Sequence, residues 1–106
     1  MSVPFVQSVR ARPEALQVSG EGRTLRVRVE IPELWDVVKV QAAESVTMLD
    51  VKRTVLAELL PMAHEIDYVL KLRGLEVLDE GLTLAESGAI DGSIFLLSHR
   101  RRRPVR

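Results

Sequence analysis

The sequence contains no cysteine. That absence excludes a disulfide framework, a thiolate nucleophile, thioester chemistry on the chain's own side chains and every cysteine-based zinc or iron–sulfur site. Histidine is scarce: His64 and His99 are the only two. They stand far apart without companions at metal-ligand spacing, so no metal site is expected. No apolar run approaches the ~20 residues that a bilayer-spanning helix needs, and the N-terminus lacks the charged region, apolar core and cleavage pattern of a signal peptide. These absences predict a soluble, cytoplasmic chain without a membrane span. A glycine-rich phosphate loop is missing too. Glu76, Asp79 and Glu80 read as a solvated acidic turn rather than as an acid–base pair, which needs a cleft. The expectation is therefore no enzymatic activity, no cofactor and no small-molecule substrate.

What is present fits one domain, because 106 residues leave no room for a second core. The zero net charge conceals a division. Residues 33–91 hold twelve acidic and five basic side chains, residues 92–106 hold five arginines and no acid, and residues 1–32 hold five arginines against three glutamates. Such a chain lacks the dominant basic field of a dedicated nucleic-acid binder. The excess of arginine over lysine, twelve against three, fits a GC-rich genome.

Residues 1–23 mix Pro4, Pro13, Gly20 and Gly22 with scattered apolar residues and read as a flexible extension. From Thr24, Leu25, Val27, Val29 and Ile31 alternate with Arg26, Arg28 and Glu30, the pattern of a half-buried strand. Pro32 breaks the strand. A second run then places Val38, Val40 and Ala42 inward and Val37, Lys39 and Gln41 outward, which completes a hairpin. Thr47, with Asp50 three residues on, is a capping-box variant that predicts a helix from Met48. Its apolar stripe is Met48, Val51, Val55, Leu56 and Leu59, with Lys52, Arg53 and Glu58 off the stripe, and Pro61 ends it. Tyr68, Leu70 and Leu72 mark a third strand closed at Gly74, residues 75–82 a short edge strand and turn, residues 83–92 a helical turn and loop, and Ser93 to Ser98 the last strand. The order β-β-α-β-β-β, with one main helix against a small mixed sheet, is an α+β fold of β-grasp type.

Three segments carry a resemblance to ubiquitin and its relatives, from Thr24 to about Arg103. They are Thr47-Met48-Leu49-Asp50-Val51-Lys52, the segment Leu70-Lys71-Leu72-Arg73-Gly74, and above all TLAESGAIDGSIFLL at residues 83–97. The last resembles the T-L-x-x-x-G-[IV]-x-D-G-[ST]-x-[LI]-x-[LV] element of that family, with Ala89 where a larger aliphatic is usual. The residues also make physical sense of it. Thr83 can cap a turn, Leu84 can plug the core, Gly88 and Gly92 suit positive φ, and Ile94 and Leu96 are expected to enter the core. Modifiers of this family end in Gly-Gly, whereas this sequence has no glycine after Gly92 and closes on an arginine-rich run. The resemblance therefore implies a non-covalent interaction module rather than a conjugated modifier. In kind it is similar to the ubiquitin-like proteins of bacterial type VII secretion systems, or to the small β-grasp accessory subunit of bacterial toluene monooxygenases. A covalent modifier of a bacterial conjugation system, with an atypical C-terminus, is the alternative.

The organisation expected is a flexible extension at 1–23, a ubiquitin-like domain at 24–98 and a basic tail at 99–106 that includes Arg100, Arg101, Arg102 and Arg103. With the sheet order of the family, Arg26, Arg28, Lys39, Lys71, Arg73, Phe95 and Leu97 share an outer face, joined by Leu34 and Trp35 at the hairpin tip. Exposed aromatics flanked by arginines suit a protein partner. Lys71 takes the position of the isoleucine at the centre of ubiquitin's apolar patch and Leu97 that of its last-strand aliphatic, which implies that ordinary ubiquitin readers bind poorly. No aromatic interleaves the tail arginines to stack on bases, so nucleic acid is not the expected partner.

Overall fold

Alternation builds the first hairpin. In the computed structural model, which describes residues 15–100, strand β2 (Thr24–Ile31) buries Leu25, Val27, Val29 and Ile31 and exposes Arg26 and Arg28. Strand β3 (Asp36–Ala43) runs antiparallel to it, from Thr24 opposite Ala43 to Ile31 opposite Asp36. Between them Pro32–Leu34 form a 3₁₀ turn, closed by the Trp35 N–H donating to the Pro32 carbonyl at 3.0 Å. Helix α1 (Met48–Leu59) begins as expected, with the Asp50 N–H donating to the Thr47 Oγ1 at 3.1 Å. It packs Met48, Val51, Val55 and Leu56 onto the inner face of the sheet.

Strands β4 (Tyr68–Leu72), β5 (Leu75–Glu76) and β6 (Ile94–His99), with a short β1 (Leu16–Val18), complete a sheet whose order is β1-β3-β2-β6-β4-β5. The four central strands, β3-β2-β6-β4, stand in the sheet order that the family resemblance implied. Strand β1 is the addition. It pairs in parallel with β3, Leu16 opposite Val40 and Val18 opposite Ala42, and Leu16 joins the core. The flexible extension read at 1–23 is thus corrected from Leu16 onward. Three residues are too short to show a period, and only the neighbouring strand makes them a strand. The segment after β1 is fastened as well: the Glu21 N–H donates to the Ser45 Oγ at 2.8 Å and the Glu44 N–H to the Arg23 carbonyl at 2.7 Å. Residues 1–14, the greater part of that extension, lie outside the described residues.

The one-turn helix α2 (Leu84–Ser87) carries a complete capping box. The Glu86 N–H donates to the Thr83 Oγ1 and the Thr83 N–H to the Glu86 carboxylate, both at 3.0 Å. Gly88, at φ 89°, closes the helix in a conformation that a side chain would strain. The capped starts of α1 and α2 lie side by side in an antiparallel bridge at Thr47 and Thr83. There the Met48 N–H donates to the Leu82 carbonyl and the Leu84 N–H to the Val46 carbonyl, which seats Leu84 fully in the core. Thr83→Ala should therefore lower unfolding free energy by about 1 kcal/mol without changing the denaturant m-value. A loss below about 0.3 kcal/mol would show that the backbone bridge alone holds the turn.

Two further expectations are corrected. Lys52, read as lying off the apolar stripe, is only 1% exposed. Its stem packs inward while Nζ donates to the Tyr68 carbonyl at 2.8 Å and to Glu80 at 2.7 Å. Glu80 is therefore not part of a purely solvated acidic turn. The domain also runs past Ser98: His99 pairs with Tyr68 in β4, ring to ring at 5.0 Å, and the Arg100 N–H donates to the Asp67 carbonyl.

Candidate interaction face

Strand β6 decides which side chains the sheet presents outward. The Arg28 N–H donates to the Ser93 carbonyl at 3.0 Å and the Gly92 N–H to the Arg26 carbonyl at 2.7 Å, so the Asp91–Gly92 turn is stitched to the start of β2. Arg28 then stands beside Ile94, Val29 beside Phe95 and Glu30 beside Leu96. Residues directly paired across strands share a face, so Phe95 goes with buried Val29. Phe95 and Leu97 are both fully buried, Leu97 opposite Leu70. Their placement on the outer face is thereby overturned, and so is the placement of Ile94 and Leu96 in the core. Ile94 is 46% exposed and Leu96 half-buried. Leu96, not Leu97, is the aliphatic beside Lys71.

The outer face can be built row by row from the register. Val37, Glu30, Leu96, Lys71 and Glu76 cross the sheet from β3 to β5. The next row is Lys39, Arg28 and Ile94, and beyond it lie Gln17, Gln41 and Arg26. Val69 is covered to 7% exposure beside Ser98. Arg73 leaves the face: at φ 56° it belongs to the turn after β4, and its guanidinium donates to the Gly88 carbonyl at 3.0 Å.

The hairpin tip adjoins the Val37–Leu96 end. Trp35 is 95% exposed, which rules out a role as lid on its own hairpin, and Leu34 beside it is partly exposed. Trp35 also sits in the left-handed region at φ 54°, uncommon for so bulky a residue. The tip is held from the other side by the Tyr68 hydroxyl, which donates to the Glu33 carboxylate at 3.2 Å. At the opposite end Asp91 accepts from the Arg26 N–H at 2.7 Å and from its guanidinium at 3.3 Å. The backbone bond first, then the side-chain bond, hold the Asp91 carboxyl below the usual aspartate range.

The structure therefore brings together Arg26, Arg28, Leu34, Trp35, Lys39 and Lys71, keeps Val37 outward as read, removes Phe95, Leu97 and Arg73, and adds Ile94 and Leu96. Of the basic tail, Arg100 is anchored rather than free, with Nε donating to the Ile66 carbonyl and the guanidinium 3.5 Å from Glu76. Arg101, Arg102 and Arg103 lie outside the described residues. Among the described residues no group of histidine and carboxylate side chains could hold a metal ion, and no helix is long and apolar enough to cross a membrane.

No protein-family profile matches the chain, and no curated protein matches it. Solved structures do. A ubiquitin of Caldiarchaeum subterraneum superposes with a TM-score of 0.65 at 19% identity, over 78% of this chain and 98% of that one. The C-terminal ubiquitin-like domain of mouse tubulin-specific chaperone e gives 0.64 at 18% identity, over 83% and 96%. The N-terminal ubiquitin-like domain in the 4931431F19Rik protein gives 0.63 at 24% identity, over 84% and 91%. The fold is the ubiquitin-like β-grasp, shared with these archaeal and eukaryotic domains.

Proposed function

We propose that this chain is a non-covalent ubiquitin-like protein-interaction module that works within a larger bacterial assembly, as a secretion-associated component or an accessory subunit. The observation that carries the reading is Trp35. A tryptophan 95% exposed on a left-handed backbone has no internal packing to justify it. Tryptophan and arginine are the side chains that most often anchor interfaces. Val37, Leu96 and Ile94 continue the apolar surface from the tip, and Lys71, Arg28 and Lys39 border it with charge. An apolar centre with a polar rim is the usual anatomy of a docking surface.

The test is photo-crosslinking in native cells from a benzophenone side chain placed at Val37. One discrete partner should be trapped, and Trp35→Ala combined with Leu96→Ser should abolish trapping while leaving the thermal melt within a few degrees of the parent. If that folded variant still traps the partner, the face is misplaced. Should the chain instead be recovered in an isopeptide-linked adduct without irradiation, the covalent-modifier reading replaces this one.

A further inference from the structure

At the end of the face away from Trp35, strands β1, β3 and β2 and the Asp91–Gly92 turn border an open groove of about 850 Å³. Gln17, Arg26, Arg28, Lys39, Gln41 and Asp91 line it. Arg28 and Lys39 are direct register partners on adjacent strands, which sets their Cβ atoms roughly 4.5–5.5 Å apart. Both are exposed, and among the described residues neither makes a hydrogen bond or an ion pair through its side chain. Like charges directly opposite one another oppose sheet pairing. The nearby carboxylates leave the pair uncompensated. Asp91 is taken by Arg26, and Glu30 makes no ion pair among the described residues. Residues 15–100 carry fourteen acids against nine bases, and against that acidic background the Arg28–Lys39 pair of cations is a local exception.

We propose that the groove receives an extended acidic segment of a protein partner. The inference rests on the reading of the chain as an interaction module and adds the chemistry of what it binds. A carboxylate matches the planar fork of Arg28, and the Lys39 ammonium reaches a second one as a point charge. Gln17 and Gln41, joined at 3.1 Å across β1 and β3, keep amide groups for the peptide backbone of the segment. The strand floor suits an extended chain. A nucleic acid fits less well, because among the described residues no aromatic side chain lines the groove to stack on a base.

The experiment is a fluorescence-anisotropy titration of the whole chain with a short labelled peptide of alternating glutamate and serine. Amide shifts are followed by NMR, and single-stranded DNA of similar charge serves as competitor. Saturable binding is expected, with shifts centred on Gln17, Arg28, Lys39 and Gln41. Affinity should fall about tenfold in Arg28→Gln or Lys39→Gln, the scale of one charge-assisted contact. Lys39→Glu supplies the readout that unfolding cannot mimic. It pairs with Arg28, so the chain should melt at a higher temperature yet bind the peptide less. Undiminished binding by Arg28→Gln with Lys39→Gln, tighter binding of the DNA, or a lower melting temperature for Lys39→Glu would overturn the proposal. Trp35→Ala with Leu96→Ser should leave peptide affinity unchanged. If the peptide fails to bind while trapping from Val37 persists, this proposal falls and the interaction module stands.

Discussion

Phe95→Ala should destabilise the chain by about 3–5 kcal/mol, while Ile94→Ser, one residue earlier, should cost less than about 1 kcal/mol. The contrast follows from parity alone. Phe95 is fully buried, flanked by Val29 on β2 and Leu72 on β4, and truncation there leaves a cavity that a sheet tied on both sides cannot close. Ile94 faces outward beside Arg28, and serine there costs part of a methyl-rich side chain that is already 46% exposed. Since small domains are stable by only about 5–15 kcal/mol, Phe95→Ala should leave a measurable unfolded population where Ile94→Ser does not. Urea titration of the two variants decides the matter. A larger loss for Ile94→Ser than for Phe95→Ala would mean that β6 pairs one residue out of the register described.

Lys52→Ala should cost about 3–5 kcal/mol, the range for breaking a buried ion pair from one side. Its Nζ is shared between the Tyr68 carbonyl and Glu80, and Glu80 itself is only 21% exposed. Removing the ammonium strands a backbone acceptor and a carboxylate together. Lys52→Met keeps the aliphatic stem and should cost about 1–3 kcal/mol. Adding Glu80→Leu to Lys52→Met should recover part of that loss, because the second change removes the stranded charge. Thermal and urea unfolding of the parent, Lys52→Met, Glu80→Leu and the two changes combined form a double-mutant cycle. A loss under about 1 kcal/mol for Lys52→Ala would show that water reaches Glu80 freely and that the pair contributes little.

The elements whose side chains alternate or recur cleanly were legible before any coordinates. In β2, arginines and a glutamate interleave with aliphatics, so a single assignment of faces survives, and the structure has that assignment. Thr47 and Thr83 announce their helices because a hydroxyl three residues ahead of a free backbone N–H is a local geometry. The exposed tip was legible in part, since Pro32 stops the strand and Trp35 follows it at once. In β6 the run Ile94-Phe95-Leu96-Leu97 is apolar at every position, and a pattern without alternation has no parity. The size of Phe95, the bulkiest apolar side chain of the run, was the one local hint of which way it turns. Strand β1 offered less still, because Leu16, Gln17 and Val18 gain strand geometry only from the edge of β3.

Local chemistry therefore determined where the chain extends, coils and turns, and with it the β-grasp order, since those signals act over three or four residues and need no partner. The choice between Ile94/Leu96 and Phe95/Leu97 as the outward pair belongs to the Arg28–Ser93 hydrogen bond, which joins residues sixty-five apart and sets the register of the whole strand. The same holds for the burial of Lys52 and for the meeting of Arg28 with Lys39 on adjacent strands. Each arises from strands or helices brought together in space, where a shift of one residue would reverse every face.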